Sequence, residues 1–478
     1  MAKWKPLPAN RQIRGSNNFA EGLVTNIEPA FVPDSAIIDG YGWDFLGYPA
    51  LTVRKGRETW GDPGDKIYGL FAYGDIHLIR ASGGTLQWGG GINGDEWSNI
   101  GGTWAQTDWD ATMFDIGGPV LIMTNGSDQA SYWNGTQMTG IFEMPKGKYV
   151  ASDNLRVYTA GVSGTEDYVY YSAYLDATDW TTSLNAGFVQ YYTPKGGPIT
   201  ALTTYNGAIW VFKKDSTAII YNTGDARSTH RMVQISNFIG CVSFKTVKQV
   251  GDSLFWLGME NVYMGTGEQA IPIGDPIQRY LKQVDSSFRS ECCAFVDGQN
   301  YYLCLPVNST SCNTCLVYST VYKKWLPYSA TMNGIRYGAK FDNFELGGAF
   351  IGDVNGMVYR VNKVDTDNGS PIPFSVTSKP YDDGMPEAEK EVYEMHIQGK
   401  FPPGTTLTVG TSDRDEGMVW ENIDFDPDTL QSWAQNRNLI VPLDRGPLSN
   451  YYRYQISGTG RVQINSVQRY SRIQPVQY

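Results

Sequence analysis

Histidine is nearly missing from this chain: three residues among 478, and no two of them at metal-ligand spacing. His77 alternates with Ile76 and Leu78, so the pattern predicts a strand with that ring toward solvent. No run approaches the ~20 apolar residues that a membrane helix needs. Charged residues make up only 18%, too few for a chain kept unfolded by its own charge. Basic residues are outnumbered 38 to 49, and the net charge of −11 excludes wrapping nucleic acid by phosphate neutralisation. Acidity fits plain solubility, and it fits equally a wall that repels a passing strand. The opening Met-Ala-Lys-Trp-Lys-Pro lacks an apolar core of signal-peptide length, which predicts folding in a cytoplasm.

Several chemistries lack a required part. Gly-x-Ser-x-Gly is absent, and Ser127-Asp128 forms no nucleophile elbow. The glycine-rich stretch Trp88–Gly94 has no Lys-Ser/Thr pair after it, so it is a turn and not a phosphate loop. Asp413-Arg-Asp-Glu416 lacks the turn glycine and the twelfth-position acid of a calcium loop. The six cysteines fit a reducing compartment, with Cys292, Cys293 and Cys304 in apolar strand context. Cys312-Asn-Thr-Cys315 has the spacing of half a zinc site or of a redox pair, but the remaining ligands and a strand-to-helix junction are not visible. No catalytic residue, cofactor or metal is assigned.

What the chain does have is glycine (53), tyrosine (31) and tight turns. Glycine takes the positive-φ turn positions and tyrosine suits a half-buried pleat. Residues Ile199–Tyr221 and Gly240–Gly265 are two copies of one pattern: strand, tight turn, strand, turn, strand. Turn signals recur at Tyr73-Gly74-Asp75, Gly117-Gly118, Asp153-Asn154, Asn206-Gly207, Gly251-Asp252, Asp297-Gly298 and Asp342-Asn343. The last four lie about 45 residues apart, the period of a four-stranded blade. The pattern predicts an all-β protein: a six- or seven-bladed β-propeller over 62–365. One short helix is expected at Pro276–Lys282.

The polar stretch Val364–Pro373 reads as a linker. Five alternating segments follow, beginning at Glu391, Thr405, Leu439, Tyr451 and Arg461, and they read as a small β-sandwich over 366–478. Residues 1–61 offer only short strands, near Gly22-Leu-Val and Pro49–Val53, and are expected to complete that sandwich as a platform.

Asn18-Phe-Ala-Glu-Gly-Leu-Val-Thr25, Ala36-Ile-Ile-Asp-Gly40, Tyr48-Pro-Ala-Leu-Thr-Val-Arg54 and Gly56 resemble the opening of short-tailed phage tail hub, nozzle or "stabilisation" proteins. Glu21 stands where that family has its first glycine, and Lys55 lies between Arg54 and Gly56. Val169-Tyr-Tyr-Ser172 with Asp179-Trp180, the Ile199–Tyr221 pair, Gly240-Cys241 and Phe255-Trp-Leu-Gly258 resemble successive blades of the same family. The resemblance implies a structural virion protein of the phage tail, assembled in the host cytoplasm. It implies a homohexamer below the head–tail connector or adaptor, with fibres, a spike or a needle seated on it. Genomic DNA would leave through its lumen without specific binding.

Expectations about residues follow. Terminal aromatics Trp4, Trp43, Phe45, Tyr451, Tyr452 and Tyr470 are candidates for an interface between copies, or for the core of the platform itself. Asp382, Asp383, Glu387 and Glu389 are candidates for a DNA-repelling lumen. A second reading stands beside the nozzle: a monomeric carbohydrate-binding or glycan-cleaving propeller. It would use paired carboxylates, Asp108 with Asp110 or Asp176 with Asp179, or arginines such as Arg80, Arg156, Arg227 and Arg231. The tryptophans Trp88, Trp97, Trp104 and Trp109 would be its stacking face, or else packing between blades.

Overall fold

The computed structural model describes residues 12–90, 95–153, 155–181, 185–225, 228–384, 386, 388–412, 421–425, 438–443 and 448–473. They fall into two compact units. One comprises Glu58–Cys315 and Thr331–Asn362; the other comprises Met1–Arg57, Leu316–Ala330 and Lys363–Tyr478. The divisions lie a few residues from the expected 61/62 and 365/366. No sequence signal marks the grouping of Leu316–Ala330 with the terminal segments.

The first unit is a β-propeller. Its first sheet runs Ile67–Tyr73, His77–Ser82, Thr85–Gly89, Ser98–Asn99, and its second Asp110–Asp115, Pro119–Thr124, Ser131–Trp133, Met138–Gly140. The third is Tyr149–Ser152, Val157–Val162, Thr165–Tyr171, Gly187–Gln190, and the fourth Ile199–Tyr205, Ala208–Lys213, Thr217–Asp225, Ser228–Ser236. The fifth is Lys248–Val250, Ser253–Leu257, Val262–Thr266, Gln269–Pro272. The sixth begins with Cys293–Asp297 and Asn300–Leu305, and the chain continues into a hairpin, Thr314–Ser319 and Lys324–Ser329, that groups with the terminal unit from Leu316 onward. The seventh is Ile335–Phe341, Gly348–Asp353 and Val358–Val361, with Arg57–Thr59 as its next strand. Trp60 N donates to Val358 O at 2.8 Å, so chain from before the first blade completes the last one. The innermost strands pack in sequence, and Ile335–Phe341 meets Ile67–Tyr73 to close the ring.

The turns work as their residues dictate. Asn206 and Gly207 both take positive φ, 50° and 70°, as the primed two-residue hairpin turn requires. Between blades the core is aromatic. Trp210 of the fourth and Trp256 of the fifth are fully buried with ring centroids 5.9 Å apart. Each such burial contributes on the order of 2–3 kcal/mol. A repeated tie locks neighbours: Tyr73 Oη donates to Pro119 O (2.7 Å), and Tyr205 Oη to Asp252 O (2.5 Å). In both cases a tyrosine ending an inner strand reaches the first turn of the next blade. The expected helix is Gln278–Lys282, preceded by a 3-10 turn at Asp275–Ile277.

The terminal unit holds two sheets built from both ends of the chain, the first antiparallel and the second mixed. In one, Gln463–Ile473 pairs with Lys390–Lys400, Gln12–Asn17 and Leu51–Val53. In the other, Pro373–Ser378 pairs with Ala36–Tyr41 and Arg453–Thr459, and the latter with Thr406–Ser412. This is the β-sandwich-like partner of the propeller, formed with the N-terminal segment. Pro373–Ser378 is a central strand that sequence reading left at the edge of a linker.

Candidate functional site

Where the inner strands of successive blades begin lies a cavity of about 650 Å³. Tyr68, Asp108, Tyr149, Thr200, Ser243 and Ser290, from six successive blades, are among its lining residues. Beside it sits a four-charge cluster. Arg336 donates to Asp108 (2.6 Å) and Glu291 (2.9 Å), and through Nε to Ile67 O (2.9 Å). Lys245, its side chain 1% exposed, lies 3.3 Å from Asp108 and 3.4 Å from Glu291. Burial alone would raise the pKa of Asp108, but Lys245 and Arg336 together hold it below the usual carboxylate range.

Asp110, two residues on, behaves oppositely. It keeps some exposure, yet protein atoms surround it, and that burial pushes its pKa up to about 7 against the pull of two backbone N–H donors. Those donors are Ala111 N on Oδ1 (3.0 Å) and Val150 N on Oδ2 (2.9 Å). Carboxyls with divergent protonation are what an acid–base pair requires. Here, however, every oxygen of Asp108 and Asp110 already has a protein partner, and all but Asp110 Oδ1 reach outside their own blade. The other acid pair anchors turns: Asp176 accepts from Thr178 N and Asp179 from Thr181 N.

The remaining propeller candidates resolve individually. Arg80 binds Gln87 and the carbonyls of Asp62 and Gly356, whereas Arg156 binds those of Ser172 and Asn185. They serve separate blades, and Arg227 lies outside the described residues. His77 does not face solvent as expected. Its ring packs at 4.4 Å from Trp88 and 5.4 Å from Trp133, because the hairpin turns this strand face onto the next blade. Trp109 is buried between blades with Trp104 edge-on at 5.6 Å, so these tryptophans are chiefly packing. All six cysteines are buried free thiols, Cys312 and Cys315 included. Asp413–Glu416 lies outside the described residues.

In the terminal unit the structure decides between the two readings of several aromatics and corrects one lumen candidate. Trp43 is fully buried, with Nε1 donating to Ser375 O at 2.6 Å, and is core. Phe45 is also buried, stacked 5.7 Å from Tyr322. Tyr452 is buried too; its hydroxyl donates to Asp383 (3.0 Å) and accepts from Arg469 Nε (2.7 Å). Aromatic rings at strand ends fill the unit's own interior before any surface. Tyr451 and Tyr470 keep partial exposure, and Trp4 lies outside the described residues. Asp383 is no lumen residue: its side chain is 3% exposed and it also accepts from Arg469 and Ser471. Asp382 is half-buried and caps the turn at Gly384, Glu389 is exposed, and Glu387 lies outside the described residues.

Sequence reasoning missed the Arg469 cluster. This buried guanidinium lies 3.5 Å from the Tyr381 ring centroid and reaches Asn17 Oδ1 at 2.8 Å, joining the first described strand to the last. A second tie uses residues of the opening motif. Arg54 makes a bidentate pair with Asp367 (3.0 and 2.5 Å), and a Cβ on Gly56 would stand 1.9 Å from Thr366 O. Gly22, at φ +64°, runs against Trp325 O in the same way, at 2.6 Å.

No family model matches the sequence, and neither does any curated protein. Among solved structures, "Streptogramin B lyase structure" is similar at 10% identity and TM-score 0.43, over 64% of this chain and 97% of that one. "Crystal Structure of Mitotic Checkpoint Complex" is similar at 9% identity and TM-score 0.42, over 65% and 96%. "YCF48 bound to D1 peptide" is similar at 9% and 0.42, over 68% and 99%. None of these likenesses bears on activity or partners.

Proposed function

We propose that the chain is a non-catalytic structural protein of a phage tail: a nozzle or hub subunit that assembles as a homohexameric ring below the connector. Its lumen passes genomic DNA without binding it specifically, and fibres, a spike or a needle seat on it. One observation carries the reading. Residues through which the opening resembles tail hub and nozzle proteins are held by close constraints in the terminal unit: Gly22 and Gly56 at close backbone approaches, and Arg54 in a bidentate pair. The non-catalytic part draws support from Asp108 and Asp110, whose oxygens are all engaged by the protein.

The test is the mass of the purified protein by light scattering, with single-particle imaging of the particles that contain it. A ring of six copies, or a six-fold feature at a tail tip, is the expected result. A monomer that never enters a virion would overturn the proposal.

A further inference from the structure

The propeller carries a second cavity system, away from its axis. The loop Tyr191–Pro198 joins the last strand of the third blade to the first of the fourth, and a groove lies on either side of it. One groove, of about 560 Å³, is lined by Asp167, Gln190 and Tyr192 among others. The other, of about 400 Å³, is lined by Asp215, Ser216 and Phe238 among others. Both share Lys213.

Lys213 is 2% exposed. Its ammonium stands 5.1 Å from the Tyr191 ring centroid and, among the described residues, has neither hydrogen-bond nor ion-pair partner. Asp167 is close enough to be felt electrostatically but does not pair with it. Tyr191 Oη beneath it is also buried without a hydrogen bond of normal geometry. The ammonium borders both grooves, so an anion bound there would meet a cation that no carboxylate among the described residues pairs with. The surroundings narrow the anion. Glu166 and Asp167 in one groove and Asp215 in the other temper the pull of Lys195, Lys213 and Lys214, which favours a monoanion over a dianion such as phosphate. Asp167 and Gln190, already hydrogen-bonded at 2.8 Å, offer acceptors and donors suited to hydroxyls. Tyr192 and Phe238 stand out at 74% and 82% exposure, one lining each groove. Each groove lies within the ordinary size range of small-ligand sites, about 300–1,000 Å³.

We infer that this double groove binds an acidic saccharide: Lys213 takes the sugar carboxylate, the Asp167–Gln190 pair takes hydroxyls, and Tyr192 and Phe238 cover the C–H faces of the rings. The site lies on one subunit, so it stands or falls independently of ring assembly.

The experiment is titration calorimetry of the intact protein with trigalacturonate and 3′-sialyllactose, with maltotriose and lactose as neutral counterparts and inorganic phosphate as a third arm. The expected result is at least one acidic sugar bound with Kd near or below ~1 mM. That sugar should bind at least ~10-fold tighter than its neutral counterpart, a preference that Lys213→Met removes. Equal affinity for acidic and neutral sugars, binding unchanged in Lys213→Met, or a response to phosphate alone would each overturn it. Should Lys213→Met fail to fold, Tyr192→Ala and Phe238→Ala, both at exposed positions, are expected to weaken acidic-sugar binding several-fold, and no weakening in either would overturn it.

Discussion

Arg336 closes the propeller by charge as well as by packing, and its removal is the sharpest test of how the ring holds. It stands on the inner strand of the seventh blade and reaches the first through Ile67 O, the second through Asp108 and the sixth through Glu291. Arg336→Met keeps the aliphatic stem and deletes all three links. Breaking a buried charge pair from one side costs about 3–5 kcal/mol. Both carboxylates keep 32% of their side-chain exposure and retain Lys245, which discounts the ionic share. The unpaired Ile67 carbonyl adds about 1 kcal/mol or more. The expected destabilisation is therefore about 3 kcal/mol, a fall in Tm of roughly 5–10 °C for a unit of this size. Differential scanning calorimetry measures it, with Lys340→Met as the control. Lys340 pairs with Asp342 at 2.7 Å, but the two side chains are 51% and 68% exposed, so its removal should change little. A Tm for Arg336→Met equal to that of the control would refute the claim that the cluster closes the ring.

The same cluster sets an acid limb. Asp108 titrates below its unfolded value, so its contribution is present above the ordinary carboxylate pKa and lost as pH falls through the folded one; Arg336→Met should flatten that loss in acid melts. Asp110 has the opposite sign. With a folded pKa near 7 it binds a proton that the unfolded chain releases, so stability should rise as pH drops from about 7 toward 4, and the slope should vanish in Asp110→Ala. Gly56→Ala drives a methyl to 1.9 Å from Thr366 O and should cost about 3 kcal/mol or more, read as loss of soluble protein or a collapse in Tm. Asp383→Asn keeps a residue type that accepts φ 48° but leaves Arg469 short of its counter-charge. Urea unfolding followed by intrinsic tryptophan fluorescence should show a loss of about 2–4 kcal/mol.

Much of the propeller is legible in the sequence because its signals are local. Asn206-Gly207 dictates a primed turn, the flanking strands alternate, and the unit recurs at blade spacing. The terminal unit is less legible because its strands pair across the whole chain: Asn17 opposes Val467, and Tyr41 opposes Ser375. No window of sequence contains both partners. The buried charges were hidden for the same reason. Arg469 meets Asn17 and Asp383 only after folding, and Lys213 looks like any strand-end lysine until the Tyr191–Pro198 loop covers it. The terminal aromatics left two readings open because composition alone does not distinguish an interface from an interior; Trp43 and Tyr452 show that two sheets built from short strands use such rings internally.

The chain first enters the propeller at Glu58 and last leaves it after Asn362, and these two crossings belong to one blade; between them Leu316–Ala330 makes an excursion into the terminal unit. In genetic terms the ring is a cassette with neighbouring ends. It can be rejoined end to end, or opened at any exposed turn such as Gly74, Gly251 or Gly298, where nothing crowds the glycine. In translational terms, the strand that seals the ring is among its first residues made but must wait for Val358–Val361, nearly three hundred residues later. In mechanical terms, tension arriving along the chain past Arg57 or Lys363 enters the ring through that one sheet.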